Sequence, residues 1–189
     1  DKSLPYIQDV IATEGAYADA ARFIYSDLIT QQAPELMPDA IQTLQELTAR
    51  YPMNPRLHLA LIASYAYTDQ WQAAYDALEP LGLNTDPKSP FQNIGYIWAV
   101  YSLKYLKQPL PQDVETALLA IAPDDIPDWA SDWFTLAQGL VLDFQQNRPG
   151  AIEKYRTVLA SDNNFNSGWL LDLAKTGLDE SLFTLAPVD

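Results

Sequence analysis

Residues 54–82 read NPRLHLALIASYAYTDQWQAAYDALEPLG, two apolar runs with a polar break at Thr68, Asp69 and Gln70. Asn54 is a helix-capping residue type, and Pro55 suits the first helical position, where the missing N–H costs nothing. From there Leu57, Leu61, Ile62 and Tyr65 fall three and four apart, a spacing that lines one helix face. Trp71 to Leu81 repeats the habit and Gly82 closes it. The stretch therefore predicts two helices whose short turn makes them antiparallel neighbours.

The first of these helices carries a pattern, His58–Leu61–Ile62–Tyr65: a large residue, an apolar one three on, a position next to it suited to a small residue, and an apolar or aromatic one three further. It recurs as Trp98–Tyr101–Ser102–Tyr105, as Trp133–Leu136–Ala137–Leu140 and, more faintly, as Ala21–Ile24–Tyr25–Leu28. The starting positions 21, 58, 98 and 133 lie 37, 40 and 35 apart, and Trp169 follows 36 later. A period of this length marks stacked helix pairs, which bury a core only between neighbouring units.

Further helices are predicted over 4–13, 16–31, 38–51, 91–106, 113–121, 126–144, 149–160 and 166–176. The stretch 83–90 reads as a loop, prolines and glycines fall at helix ends, and the tail from Gly177 reads as frayed. No apolar–polar alternation persists long enough for a strand. The expectation is an all-α chain of about ten antiparallel helices in one domain, 1–189. Its pairs span 16–51, 54–82, 91–122 and 126–161, with end helices at 4–13 and 166–176.

These pairs resemble the tetratricopeptide repeat family. The best match runs from Pro55 to Pro87: His58, Leu61, Ile62 and Tyr65 take the inner-helix positions, while Ala74, Leu78 and Leu81 take the outer ones. Ala40, Leu44, Leu47 and Pro52 match a preceding outer helix, as do Ala151, Tyr155 and Val158 near the other end. The repeats are degenerate, with Ile62 in place of the usual small residue and extra residues between the helices of three pairs.

The resemblance implies a right-handed superhelix (a tetratricopeptide-like solenoid) whose inner helices line a concave peptide-binding groove. By position that groove would show Arg56, Leu59, Ala63 and Tyr67, then Tyr96, Leu103 and Lys107, then Ser131, Phe134, Gln138 and Val141. Some family members grip a partner's terminal carboxylate with lysines and asparagines on the inner helices. Leucine, alanine, phenylalanine and glutamine dominate these positions here, so an apolar or aromatic partner segment is the expected occupant.

Composition narrows the field. With 25 acids against 11 bases the net charge is −14, a field that repels phosphate backbones and favours a basic or apolar protein partner over nucleic acid. No apolar run approaches the ~20 residues that span a bilayer, so membrane insertion is not expected. The absence of cysteine excludes disulfides, thiolate metal sites and cysteine nucleophiles. The start at Asp1 reads as a removed leader or a domain cut from a longer chain, and low lysine content points toward an exported, periplasmic bacterial protein.

The single histidine, His58, falls where the repeat places a large packing residue, and no further donors accompany it for a metal or a catalytic triad. No cofactor motif is present, since the seven glycines form no phosphate-binding loop. The acids Asp124, Asp125, Asp128 and Asp132 precede or open a helix, where they act as caps and dipole partners. Together with nearby tryptophans they also support an alternative, a helical enzyme or carbohydrate-binding domain. The principal expectation is a non-catalytic protein–protein interaction scaffold or assembly factor, with self-association as a third course.

Overall fold

The computed structural model describes residues 3–32, 34–83, 89–163 and 168–185. Among them are ten α-helices and no strand. They are α1 (Ser3–Ala12), α2 (Ala18–Gln32), α3 (Met37–Arg50), α4 (Pro55–Tyr67), α5 (Trp71–Asp76), α6 (Pro90–Leu106), α7 (Gln112–Ala120), α8 (Ser131–Phe144), α9 (Arg148–Leu159) and α10 (Gly168–Asp179). Pro87, the proposed terminal proline of the best-matching pair, and Asn166, the expected start of the last helix, lie outside the described residues.

Two helices are shorter than expected, each because of a proline. The second helix of the 54–82 pair stops at Asp76 rather than Leu81. A helix continuing to Pro80 would drive its ring into the carbonyl of Asp76, four residues earlier, so Glu79–Leu81 form a 3₁₀ turn instead. Likewise the helix expected from Ile126 begins only at Ser131. Pro127 holds Ile126 in an extended conformation (φ −109°, ψ 129°), and Asp128–Ala130 make a 3₁₀ turn before the α-helix starts.

The chain forms two compact units, residues 1–81 and 82–189. In the first, consecutive helices from α1 to α5 pack on one another and α2 also touches α4. Its core joins Ile41, Leu44 and Leu47 of α3 to Leu57 and Leu61 of α4, with Phe23 and Tyr65 against them. A polar clamp fastens α2 to the end of α3: the Asp19 carboxylate accepts from Arg22 at 2.7 Å, Arg50 at 2.6 Å and the Tyr51 hydroxyl at 2.7 Å. These donors, Tyr51 and Arg50 foremost, hold the Asp19 carboxyl down at about 2, below its ordinary 3.8.

Because the depressed carboxyl stabilises the folded state only while ionised, its contribution is complete above its unfolded pKa. It disappears as pH falls from the ordinary carboxylate range through about 2. Asp19→Asn is therefore expected to flatten the loss of unit 1 stability between pH 5 and pH 2. Urea unfolding across that range checks it; an unchanged slope would show that the clamp is not coupled to folding.

In the second unit α6 packs against α7 and α8, α7 against α8, α8 against α9, and α10 against both α9 and α8. Ser89 caps α6 in a reciprocal box with Gln92. Three helices end in the same turn. Asp69, Lys107 and Gln146 adopt left-handed backbone (φ 57°, 55° and 61°). The next amide donates five residues back, Gln70 to Tyr65, Gln108 to Leu103 and Asn147 to Leu142. This is the six-to-one closure of a Schellman motif, made here without glycine, and the three positions lie 38 and 39 residues apart.

Glycine placement corrects the sequence reading twice. Gly95 and Gly139 lie inside α6 and α8 rather than at helix ends. Gly177, where fraying was expected, is a buried member of α10, and Leu182 and Phe183 beyond it are core residues. Phe183 packs edge-on to Phe144 with centroids 5.1 Å apart. The Leu182 amide donates to the buried Asp143 carboxylate at 2.8 Å. The tail is held by a buried acid that its own residues do not announce.

Candidate functional site

In the first unit, Asn54 caps α4 by accepting from the Arg56 amide at 3.1 Å, and the helix then presents Arg56, Leu59, Ala63 and Tyr67 at spacings that share one side. Arg56 is exposed, Leu59 and Ala63 are partly buried, and Tyr67 keeps 53% of its surface exposed. Partial burial, then the charge of Asp27 on α2, raises the Tyr67 phenol above its ordinary pKa. Ile24, half-exposed, sits one turn before Asp27 on the same helix. Tyr17, just ahead of α2, is exposed as well. His58 is buried, its Nε2 2.8 Å from the Pro52 carbonyl, which fixes that nitrogen as the donor.

The second unit corrects the expected groove. Leu103 and Phe134 are core residues, 2% and 3% exposed, and Val141 is fully buried. The reason lies in α6 and α8, which have neighbours on several sides; α6 buries every residue from Ile97 to Leu103. A helix apolar all round offers no open face. The warning in the sequence is that no charged residue occurs between Pro90 and Lys104.

Tyr96 is partly buried, with its hydroxyl donated to the Leu83 carbonyl. Burial, then Asp113, raises its pKa. The Gln138 side chain accepts from Lys154 at 2.8 Å, and Ser131 donates to the Asp128 carbonyl at 2.9 Å. Of the expected groove residues in this unit, Lys107 alone is exposed.

What the second unit does bring together is a row of rings. The tryptophans spaced 35 and 36 apart meet in order: Trp98 on α6 lies 5.5 Å from Trp133 on α8, and Trp133 stacks on Trp169 of α10 at 5.3 Å and 30°. Tyr101 packs beside all three, and its hydroxyl donates to the Trp133 carbonyl at 3.0 Å. Tyr105 stacks on Trp169 at 6.1 Å. Offset and tilted pairs of this kind each add about 0.5–1.5 kcal/mol beyond the area they bury. Exposure rises along the row, from buried Trp98 to Trp169 at 37%.

The four aspartates of the alternative reading do not form one site. Asp124, Asp125 and Asp128 are exposed and line an open depression of about 480 Å³ with Pro90, Asn93, Ile126 and Pro127. Asn93 donates to the Asp125 carbonyl at 3.1 Å, which supports that turn. Asp132 does not line the depression; it is buried on α8, and its Oδ2 has no hydrogen-bond partner among the described residues. No group of three or more metal-ligating side chains occurs among the described residues, and no described helix is long and apolar enough to cross a membrane.

The fold and these surfaces define a class, an all-helical protein of consecutively packed helices. No family model, no curated protein and no solved structure matches the chain.

Proposed function

We propose that the chain is a non-catalytic protein-interaction scaffold of tetratricopeptide-like helix pairs wound in the right-handed sense, and that α2 and α4 of the first unit carry a docking surface. Two regularities support the repeat reading. The tryptophan row recurs at 35 and 36 residues, and the left-handed turn recurs at 38 and 39. The observation that carries the docking surface is the exposure of Ile24 and Tyr67 on helices that touch, where a closed core would have buried both.

The occupant this surface suits is an apolar partner segment with a basic residue. Leu59, Ala63, Ile24 and Tyr67 offer apolar contact, while the charge of Asp27 on α2, felt at the Tyr67 phenol, and the net charge of −14 favour a cation. Affinity capture from the native source, with wild type beside Ile24→Ala/Tyr67→Ala, tests the reading. The expected result is a partner held by wild type, released as salt rises, and reduced at least about tenfold by the double variant. Unfolding of the variant would make these residues core. A partner held equally by both chains would place docking elsewhere.

A further inference from the structure

We propose that the exposed end of the tryptophan row in the second unit is a separate docking position, which takes an aromatic side chain flanked by acidic residues on a partner polypeptide. This goes beyond the function proposed above, because it concerns the other unit and a partner segment of opposite charge. Each indole in the row packs against the next, Trp98 against Trp133 and Trp133 against Trp169, and the last keeps more than a third of its surface exposed. Trp133, Tyr105 and Tyr101 already surround Trp169, and an aromatic ring from outside would add one more ring contact at the part of the indole that stays exposed.

Charge selects the partner. Acids outnumber bases 25 to 11 in this chain, so a lysine left without an acid needs a reason. Arg22, Arg50, Arg148 and Lys175 each pair with an aspartate, and Lys154 is bonded to Gln138. Lys104 forms no ion pair among the described residues. Its Nζ lies 3.7 Å from the centroid of the Tyr105 ring, the same ring that stacks on Trp169. Partial burial of this ammonium brings its pKa down to about 8, so water is partly excluded and no described carboxylate compensates.

Lys107 stands exposed one turn further on. A carboxylate brought in beside an aromatic ring would supply the missing counter-charge while the ring covers Trp169. The overall charge opposes such a partner at long range, but screening confines that repulsion to roughly 8 Å at physiological ionic strength. Added salt should therefore speed the encounter.

The test uses the full isotope-labelled chain and reads the Trp169 indole N–H by NMR during millimolar titrations. The probes are acetyl-Glu-Trp-Glu-amide, acetyl-Lys-Trp-Lys-amide and acetyl-Glu-Ala-Glu-amide. The first probe is expected to shift the signal saturably and to bind at least about fivefold more tightly than either of the others. Lys104→Met, which keeps the apolar stem, is expected to weaken it by a similar factor, while Ile24→Ala/Tyr67→Ala leaves it unchanged. Equal affinity for the glutamate and lysine probes, an unaffected Lys104→Met, or no saturable shift would overturn the proposal. If Lys104→Met loses its near-ultraviolet circular dichroism, the glutamate–lysine comparison on the wild-type chain decides.

Discussion

Asp143→Ala is expected to cost the second unit about 3–5 kcal/mol, because it removes the shared acceptor of a buried network. The Asp143 side chain is fully buried on α8 and accepts from the Tyr155 hydroxyl at 2.7 Å, the Leu182 amide at 2.8 Å and Arg148 Nη1 at 3.1 Å. Arg148 also donates to the Gly177 carbonyl at 2.6 Å, so one acid ties α9, the end of α10 and the closing segment together. Burial, then the bond to Asp143, pushes the Tyr155 phenol far above its ordinary pKa. It therefore stays a donor across the working pH range.

Alanine at 143 would leave three donors facing an apolar gap. Asp143→Asn keeps one acceptor oxygen and should fall between alanine and wild type. Denaturant unfolding followed at the aromatic row measures both. A loss under about 1 kcal/mol for the alanine variant would mean that water replaces the carboxylate freely, and the tail would not depend on it.

Gly139→Ala is expected to be the second large effect, and its sign opposes intrinsic helix preference. In an exposed helix interior the change should stabilise by about 1 kcal/mol. Here an added Cβ would stand 2.4 Å from Tyr155 Cε1 and 2.9 Å from Cδ1. The ring has no room to retreat, since a Cβ at Gly177 would meet its Cδ2 at 2.6 Å, and its hydroxyl is held on Asp143.

Overpacking of this kind costs about 1–3 kcal/mol and occasionally more, so a net loss of roughly 2 kcal/mol is expected. Tyr155→Leu in the same chain should make the two changes less than additive. A thermal midpoint that rises with Gly139→Ala would show that the ring moves aside. Strictly additive losses would show that Gly139 and Tyr155 do not share the contact.

The helices of this chain were largely legible because local rules set them. Asn54–Pro55 opens α4, and Gly82 follows the turn that closes the pair after α4. The misreadings arose where a local rule met a second one. At Pro80 and Pro127 the apolar spacing runs on, but the backbone cannot follow it. The left-handed turns at Asp69, Lys107 and Gln146 escaped notice because none carries the glycine that usually marks such a position.

The candidate surfaces were only half legible. Helical spacing places Arg56, Leu59, Ala63 and Tyr67 on one side of α4, and the structure leaves that side at least partly open. The same spacing failed on α6 and α8, because period alone identifies a face without saying how many neighbours a helix has. Leu103 and Phe134 are therefore core.

By itself the sequence determined the all-helical class, the order of its helices and the interval at which tryptophans recur. Apolar period, caps and prolines act over a few residues and need no distant partner. Only the tertiary structure decided which surfaces remain open, that the recurring tryptophans touch, and that Asp143 and Tyr155 lock the closing segment down. Each of these depends on side chains tens of residues apart meeting in one place. Burial and pairing are properties of the packed assembly of helices, and no single stretch of chain contains them.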